Sequence, residues 1–181
     1  MEATVINMNR GFTLIEILVA TTVFSLALGA MSSLFVMSLQ GQRSIFAQQN
    51  LVDNTRFALE QMSRQIRMAR RDETGICTGS AGSTYSGGGA SIIFIDPQSN
   101  CRTYDLSGGI IRMRLDTGQE FRNLTSDDIY IERLDFDVRG REATDGEQPR
   151  VTIVIDAKDP NQHSAGIILQ TTISARSVDV P

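Results

Sequence analysis

The sequence predicts an α+β fold, in which a long N-terminal helix packs on a C-terminal antiparallel β-sheet. An apolar run over residues 12–39 contains a single charged side chain. Over residues 45–69, apolar residues recur every three or four positions, which is typical of an amphipathic helix. We call this series of positions the apolar ladder. From Ile92 onward the apolar residues recur with a period of two, which is typical of β-strands. These patterns divide the chain into a leader (1–11), a transmembrane helix (12–39), an amphipathic helix (40–71) and a β-rich globular head (72–181).

The apolar run from Phe12 to Leu39 is long enough to cross a membrane. Its 28 residues include one charged residue, Glu16, and no proline. A helix of this length would span roughly 42 Å, whereas a hydrocarbon core is ~30 Å thick. A secretory signal would have only about 7 to 15 apolar residues, followed by a small-residue cleavage site. Nothing of that kind follows Leu39, and we therefore expect a membrane helix that is retained.

Glu16 is an unusual residue for such a segment. A carboxylate inside a membrane helix costs about 2.5 to 3.5 kcal/mol on insertion scales, so it indicates a functional site. If the chain were cut after Gly11, Phe12 would carry a free amine four residues before Glu16. That cation would neutralise the carboxylate of its own chain or of a neighbouring chain. The alternative is a plain signal anchor with a chance acid near its end.

The segment around Glu16 resembles a known processing motif. Residues 10–16 read Arg-Gly-Phe-Thr-Leu-Ile-Glu, which is similar to the prepilin motif of type IV pilins and type II secretion pseudopilins. The resemblance covers about the first thirty residues. It implies cleavage after Gly11 by a prepilin peptidase, N-methylation of Phe12, and pairing of Glu16 with the amine of an adjacent subunit.

The same resemblance implies where the protein resides and what it contacts. The expected partners are other pilins or pseudopilins, the prepilin peptidase, an inner-membrane assembly platform and membrane lipid. The precursor would be a single-pass inner-membrane protein with its head outside the cytoplasm. It would later become part of a filament in the envelope or at the cell surface.

The second half of the helix is expected to extend to Arg71 with one apolar face. The apolar positions of the ladder are Ile45, Val52, Leu59, Met62, Ile66 and Ala69, and its two remaining positions are Gln48 and Thr55. Because those two positions are polar, a packing face for the head domain is favoured over a coiled-coil seam.

Arginines crowd the end of this predicted helix, at Arg64, Arg67, Arg70 and Arg71. Such a cluster would suit the phosphates of DNA or of lipopolysaccharide. Cations in the last turns also complement the negative end of the helix dipole. Since no aromatic residues are interleaved to stack on bases, the dipole explanation is favoured and nucleic-acid binding is not expected.

Cys77 and Cys101 are the two cysteines of the chain. If the head lies outside the cytoplasm, an oxidising compartment favours a disulfide between them. They enclose 23 residues, including the glycine-rich run 79–89, which is interpreted as a loop. Closing that loop would stabilise the fold by ~3 kcal/mol.

The head is predicted to contain one antiparallel sheet, since no crossover helix separates its strands. One face would pack on the helix. The hairpin Ser107-Gly108-Gly109 and the loops Ala143–Gly146 and Asp159–Asn161 separate the strands, and a change of phase predicts a bulge near Glu132 and Arg133. The predicted strands are Ser91–Ile95, Arg102–Leu106, Ile110–Leu115, Ile129–Val138, Arg150–Asp156 and Ile167–Arg176.

No arrangement of residues indicates catalysis, so we predict a protein that is not an enzyme and needs no cofactor. The one histidine, His163, lies in a predicted loop. No metal site is expected, because the acidic residues of the head lack the spacing of an EF-hand. The acids that were considered as calcium ligands are Asp127, Asp128, Asp145, Glu147, Asp156 and Asp159.

Two functions remain in different classes. The first, which is favoured, is a structural subunit of a type IV pilus or a secretion pseudopilus, of the minor rather than the major kind. The second is a binding module that such a filament displays for DNA uptake or surface adhesion. The abundance of the protein in the cell distinguishes these roles. A major subunit is made in large excess, whereas a minor subunit that initiates the filament, or a receptor, is scarce.

Overall fold

The computed structural model describes residues 11–141, 147–161 and 166–176. The chain divides into two compact units, Met1–Ile45 and Phe46–Pro181. A single α-helix, α1, spans Leu14–Arg67. The strands that follow are β1 (Tyr85–Gly88), β2 (Ser91–Ile95), β3 (Cys101–Ser107), β4 (Ile110–Leu115), β5 (Arg122–Asn123), β6 (Tyr130–Arg139), β7 (Arg150–Lys158) and β8 (Ile167–Ser174).

Some of the sequence predictions concern residues outside the described ranges. These are Arg10 with the rest of the leader, the loop Ala143–Gly146, and His163. The loop at Asp159 is described, and there the carboxylate of Asp159 accepts a 2.8 Å hydrogen bond from the amide of Asn161. This is the side-chain-to-backbone turn that aspartate favours, so the prediction of a loop there is confirmed.

The helix ends four residues earlier than predicted, at Arg67 rather than at Arg71. The amide of Ala69 still bonds the carbonyl of Ile66 at 3.1 Å, which is a tight final turn. The amide of Arg70, however, donates to the carbonyl of Ile95 at 2.9 Å, at the end of β2. Pairing with a strand thus replaces the last turn of the predicted helix.

The strands form two antiparallel sheets, so the prediction of one sheet was wrong although the α+β class is confirmed. The first sheet has the order β1-β2-β3-β4-β5 and the second has the order β6-β7-β8. The short strand β5 occupies the edge of β4, so β6 does not continue the first sheet there. The two sheets meet instead at an isolated bridge between Gly89 and Phe136.

The strand predictions are otherwise close to the structure. Gly108 and Gly109 form the two-residue turn between β3 and β4, with φ angles of 60° and 78°. The register of β6 against β7 shifts between Ile131 and Arg133, which confirms the predicted bulge. Two strands were missed. Residues 85–88 belong to β1 rather than to a loop, and β5 has only two residues.

The core of the second unit lies between α1 and the sheets. The buried helix residues are Leu51, Thr55, Ala58, Met62 and Ile66. Of the predicted ladder, Ile45 is 57% exposed, and Val52 and Leu59 are half-buried. Thr55 is accommodated because its hydroxyl bonds the carbonyl of Leu51 at 2.7 Å. The buried side chains of the strands include Tyr85, Ile92, Phe94, Tyr104, Ile111, Phe136, Val151, Ile153 and Ile155.

Candidate functional site

The predicted site residues lie at the start of α1. Gly11 and Phe12 precede the helix, and the Phe12 side chain is 77% exposed. Thr13 caps the helix, because its hydroxyl accepts a 3.3 Å hydrogen bond from the amide of Glu16. Glu16 therefore lies in the first turn, where the positive end of the helix dipole favours a carboxylate.

Thr13 is the residue of this site that the sequence analysis missed. The signal was present in the sequence, since Thr13 and Glu16 have the spacing of a capping box. In the structure the Thr13 hydroxyl accepts the amide of Glu16, which is one of the two hydrogen bonds of that motif. Because the cap defines where the helix begins, it leaves Gly11 and Phe12 outside the helix.

Glu16 borders a shallow apolar groove along one face of α1. Ala20 and Ala27 are small residues along this groove, which would let another helix approach closely. Among the described residues, none forms a hydrogen bond or an ion pair with the Glu16 carboxylate. The other residues that line the groove are Ile15, Val19, Ala20, Val23, Phe24 and Ala27.

The apolar part of α1 exposes its side chains on every side. Phe24, Leu34 and Phe35 are each between 63% and 66% exposed. By length and composition α1 could cross a membrane, and its apolar part is not buried within the structure. A segment that is apolar all round requires an apolar environment, either lipid or other helices.

Five hydroxyl groups in this segment donate to carbonyls of the helix itself. The hydroxyl of Ser25 bonds the carbonyl of Thr21 at 2.8 Å, and that of Ser32 bonds the carbonyl of Leu28 at 2.9 Å. Thr21, Thr22 and Ser33 also bond carbonyls three or four residues earlier. These polar side chains can therefore enter an apolar environment without leaving an unsatisfied donor.

The head contains the predicted disulfide between Cys77 and Cys101, whose Cα atoms are 5.5 Å apart. The bond ties the segment after α1 to the start of β3. Within residues 11–141, 147–161 and 166–176, no three His, Cys, Asp or Glu residues come together in a way that could hold a metal ion. The acids considered as calcium ligands thus remain dispersed as far as the structure describes them.

Asp72 organises the loop that Cys77 closes. One carboxylate oxygen accepts the amides of Gly75 at 2.8 Å and Thr74 at 3.2 Å, and the other accepts those of Thr78 at 2.8 Å and Cys77 at 2.9 Å. Burial disfavours the charged carboxylate, but these bonds, together with those from the Thr74 and Thr78 hydroxyls, outweigh burial. They hold the pKa of Asp72 well below its usual value.

Comparison with known proteins identifies the N-terminal segment. Residues 6–32 match a family model described as the prokaryotic N-terminal methylation motif. No curated protein and no solved structure matched the chain. The matched segment contains Gly11, Phe12, the cap Thr13 and the carboxylate of Glu16. The chain therefore carries the N-terminal signal of type IV pilins and pseudopilins, followed by one long apolar helix and antiparallel β-sheets.

Proposed function

We propose that this protein is a minor structural subunit of a type IV pilus or of a type II secretion-like pseudopilus. The observation that carries the proposal is the methylation motif over residues 6–32. The apolar side chains exposed on every side of the first part of α1 support it, because such a surface is stable only in lipid or among other helices. The head adds a disulfide, which suits an extracytoplasmic location.

In this proposal the precursor is first a single-pass protein of the inner membrane, with the head outside the cytoplasm. A prepilin peptidase cuts after Gly11, and the new terminal residue, Phe12, is N-methylated. The cut falls before the Thr13 cap, so the helix keeps its N-terminal hydrogen bonds after processing. An assembly platform in the membrane then transfers the subunit into a filament with other pilins.

Glu16 would set the position of each subunit within that filament. In an isolated subunit a carboxylate in the first turn can remain partly hydrated near the membrane interface. In a bundle of helices that water is lost, and a buried unpaired charge is strongly unfavourable, whereas a paired charge approximately breaks even. The subunit would thus adopt the register that places Glu16 beside the Phe12 amine of a neighbour. The pair would determine axial register more than net stability.

A second candidate function is a binding module that the filament displays for DNA uptake or surface adhesion. The feature that favours it is the group of exposed arginines near the end of α1, since guanidinium groups bind phosphate well; it is the weaker candidate, because no aromatic residues are interleaved there to stack on bases. This function would use the same N-terminal processing, and a DNA-binding head would be scarce in the cell relative to a major subunit.

N-terminal processing tests the proposal directly. Mass spectrometry of the protein from membranes and sheared filaments should find a chain that begins at Phe12 with a methylated amine. Gly11→Val should retain the leader, because the motif has glycine at the cleavage position. Gly41→Val is the matched control, since a Cβ at Gly41 meets no atom within 4 Å, and it should be processed normally. Retention of Met1 in the native protein, or a cut beyond Leu39, would refute the proposal.

A further inference from the structure

Four arginines converge where α1 ends. Arg64 and Arg67 lie in the last turns of the helix, and Arg70 lies in the extended segment that pairs with Ile95. Arg176 comes from the other end of the unit, two residues after β8, and its amide donates a 2.9 Å hydrogen bond to the carbonyl of Arg67. We call these four residues the arginine cluster.

The arginine cluster surrounds two adjoining surface depressions. Arg64, Arg67 and Arg176 line the first, and Arg70 and Arg176 line the second. Met68 also belongs to both, so the two depressions share one wall. The remaining lining residues are Ser63 in the first, and Ala69 and Pro97 in the second. The result is a concave and mostly apolar surface to which all four arginines contribute.

Capping of the helix does not explain this convergence. The carbonyl of Ile66 accepts the hydroxyl of Tyr85 at 2.8 Å, the carbonyl of Arg67 accepts the amide of Arg176, and the carbonyl of Gln65 accepts a backbone amide at 3.1 Å. The last carbonyls of α1 thus have partners other than guanidinium groups. The helix dipole favours cations nearby, but it does not account for an arginine that arrives from β8.

No carboxylate neutralises the cluster in the part of the chain that the structure describes. The one side-chain hydrogen bond from the cluster there joins Arg70 to the hydroxyl of Ser99, at 3.4 Å. Glu60 and Glu73 lie near the cluster in the sequence and are exposed, but among the described residues neither forms an ion pair with it. Two further acids are committed elsewhere. Asp72 is saturated by its loop, and buried Asp96 pairs with Arg102 at 3.0 Å. Four exposed cations held together without a counter-charge favour an anionic ligand.

We propose that the arginine cluster binds a ligand with two adjacent phosphoryl groups, one in each depression. Planar guanidinium groups bind phosphate oxygens through paired N–H donors, and Arg176, which borders both depressions, would bridge the two groups. No aromatic ring lines either depression, so base stacking, the usual anchor of single-stranded nucleic acid, is missing. The source is therefore a free oligophosphate or a phosphorylated headgroup rather than a nucleic acid.

Calorimetric titration of the full chain in non-ionic detergent tests this site, with tripolyphosphate as the probe. Arg70→Gln and Arg176→Gln should each weaken binding about tenfold, which is the size expected for losing one charge-assisted contact. Arg70→Lys should be intermediate, because it keeps the charge and loses the planar fork. Arg56→Gln is the matched control, since Arg56 is an exposed arginine of the same helix, and it should bind as the native chain does.

Further titrations with a second probe distinguish the source of the phosphoryl groups. Tighter binding of inositol bisphosphate than of tripolyphosphate would indicate a headgroup, and the reverse order would indicate a free oligophosphate. A variant that ends at Arg176 removes Asp179, the acid three residues after Arg176 in the sequence. This variant should still bind tripolyphosphate. The proposal is overturned if tripolyphosphate does not bind at low salt, or if Arg56→Gln weakens binding as much as Arg70→Gln. It is also overturned if duplex DNA binds while both small phosphorylated probes do not.

Discussion

The hydroxyl of Tyr85 donates a 2.8 Å hydrogen bond to the backbone carbonyl of Ile66 in the last turn of α1. Both residues are fully buried, and the Tyr85 ring meets Phe94 edge-on with the ring centroids 6.3 Å apart. Burial raises the pKa of the Tyr85 hydroxyl well above its usual value, so that group stays a donor. Through this bond β1, which follows the disulfide loop, is attached directly to the helix.

Replacing Tyr85 by phenylalanine should lower the free energy of unfolding by about 1 kcal/mol, because one buried hydrogen bond is lost while the ring is kept. The loss stays moderate because the carbonyl of Ile66 retains the amide of Ala69, at 3.1 Å. Urea unfolding measures the change. Tyr130→Phe is the control, since Tyr130 is 43% exposed, and its unfolding midpoint should not move. Equal midpoints for Tyr85→Phe and the native chain would contradict the role given to this bond.

Asp72→Asn should destabilise the head by roughly 3 kcal/mol at pH 7, because asparagine offers one neutral acceptor oxygen in place of two charged ones. The effect should depend on pH. A folded-state pKa below the unfolded value of about 3.9 contributes stability that is complete above that value. The contribution is lost as the pH falls through the folded-state pKa. The native chain should therefore lose more stability between about pH 5 and pH 2 than the Asn variant.

Urea unfolding at a series of pH values measures both effects of Asp72. Asp53→Asn serves as the control, because Asp53 is an exposed acid on α1. Its unfolding curve should follow that of the native chain at every pH. Parallel pH profiles for the native chain and for Asp72→Asn would show that the Asp72 carboxylate contributes nothing through its ionisation.

Removing the disulfide by the double change Cys77→Ala with Cys101→Ala should lower the free energy of unfolding by about 3 kcal/mol, as expected for a loop of this length. A reductant should produce the same loss in the native chain and no further loss in the variant. Intact mass under non-reducing conditions, after alkylation, should find no free thiol. Two alkylated cysteines in the native protein would contradict the pairing.

Changes at Glu16 should affect assembly and leave earlier steps intact. Glu16→Ala and Glu16→Gln should be inserted and cut after Gly11 but enter filaments at least about tenfold less, since the neighbouring Phe12 amine would be buried without a partner. Glu16→Asp, which has a shorter reach, should be intermediate. The measurement compares the amount of protein in sheared filaments with that in the membrane pool.

The control for this experiment is Glu60→Gln, an exposed acid of the same helix outside its apolar run. This variant should enter filaments at the native level. Recovery of Glu16→Ala in filaments at that level would mean that the charge does not guide assembly. The protein would then fit a plain signal anchor better than a filament subunit.

Patterns between near neighbours in the sequence were sufficient to predict most of the local structure. The hairpin at Gly108-Gly109 follows from two glycines at positions that need positive φ angles. The bulge before Arg133 follows from a change in the phase of alternation within one strand. The pairing of Cys77 with Cys101 follows from there being two cysteines and from the expectation that the head lies outside the cytoplasm. The hairpin and the bulge depend on residue types and their immediate spacing, whereas the disulfide depends on the number of cysteines.

Other features were decided by partners that are distant along the chain. The helix stops at Arg67 because Ile95, from β2, binds the amide of Arg70. Thr55 is buried because the sheets pack on the face to which it belongs, and its hydroxyl can bond within the helix. The head splits into two sheets because β5 occupies the edge of β4, which no periodicity in β6 reveals.

The N-terminal site and the arginine cluster show the same division. Gly11, Phe12 and Glu16 lie within six consecutive residues, so their motif and the Thr13 cap can be read directly from the order of residues. The arginine cluster cannot, because Arg176 joins Arg67 only after β8 has paired with β7 and returned to the end of the helix. Helix caps and processing motifs are short-range features, whereas a surface site is assembled by the long-range contacts that form the tertiary structure.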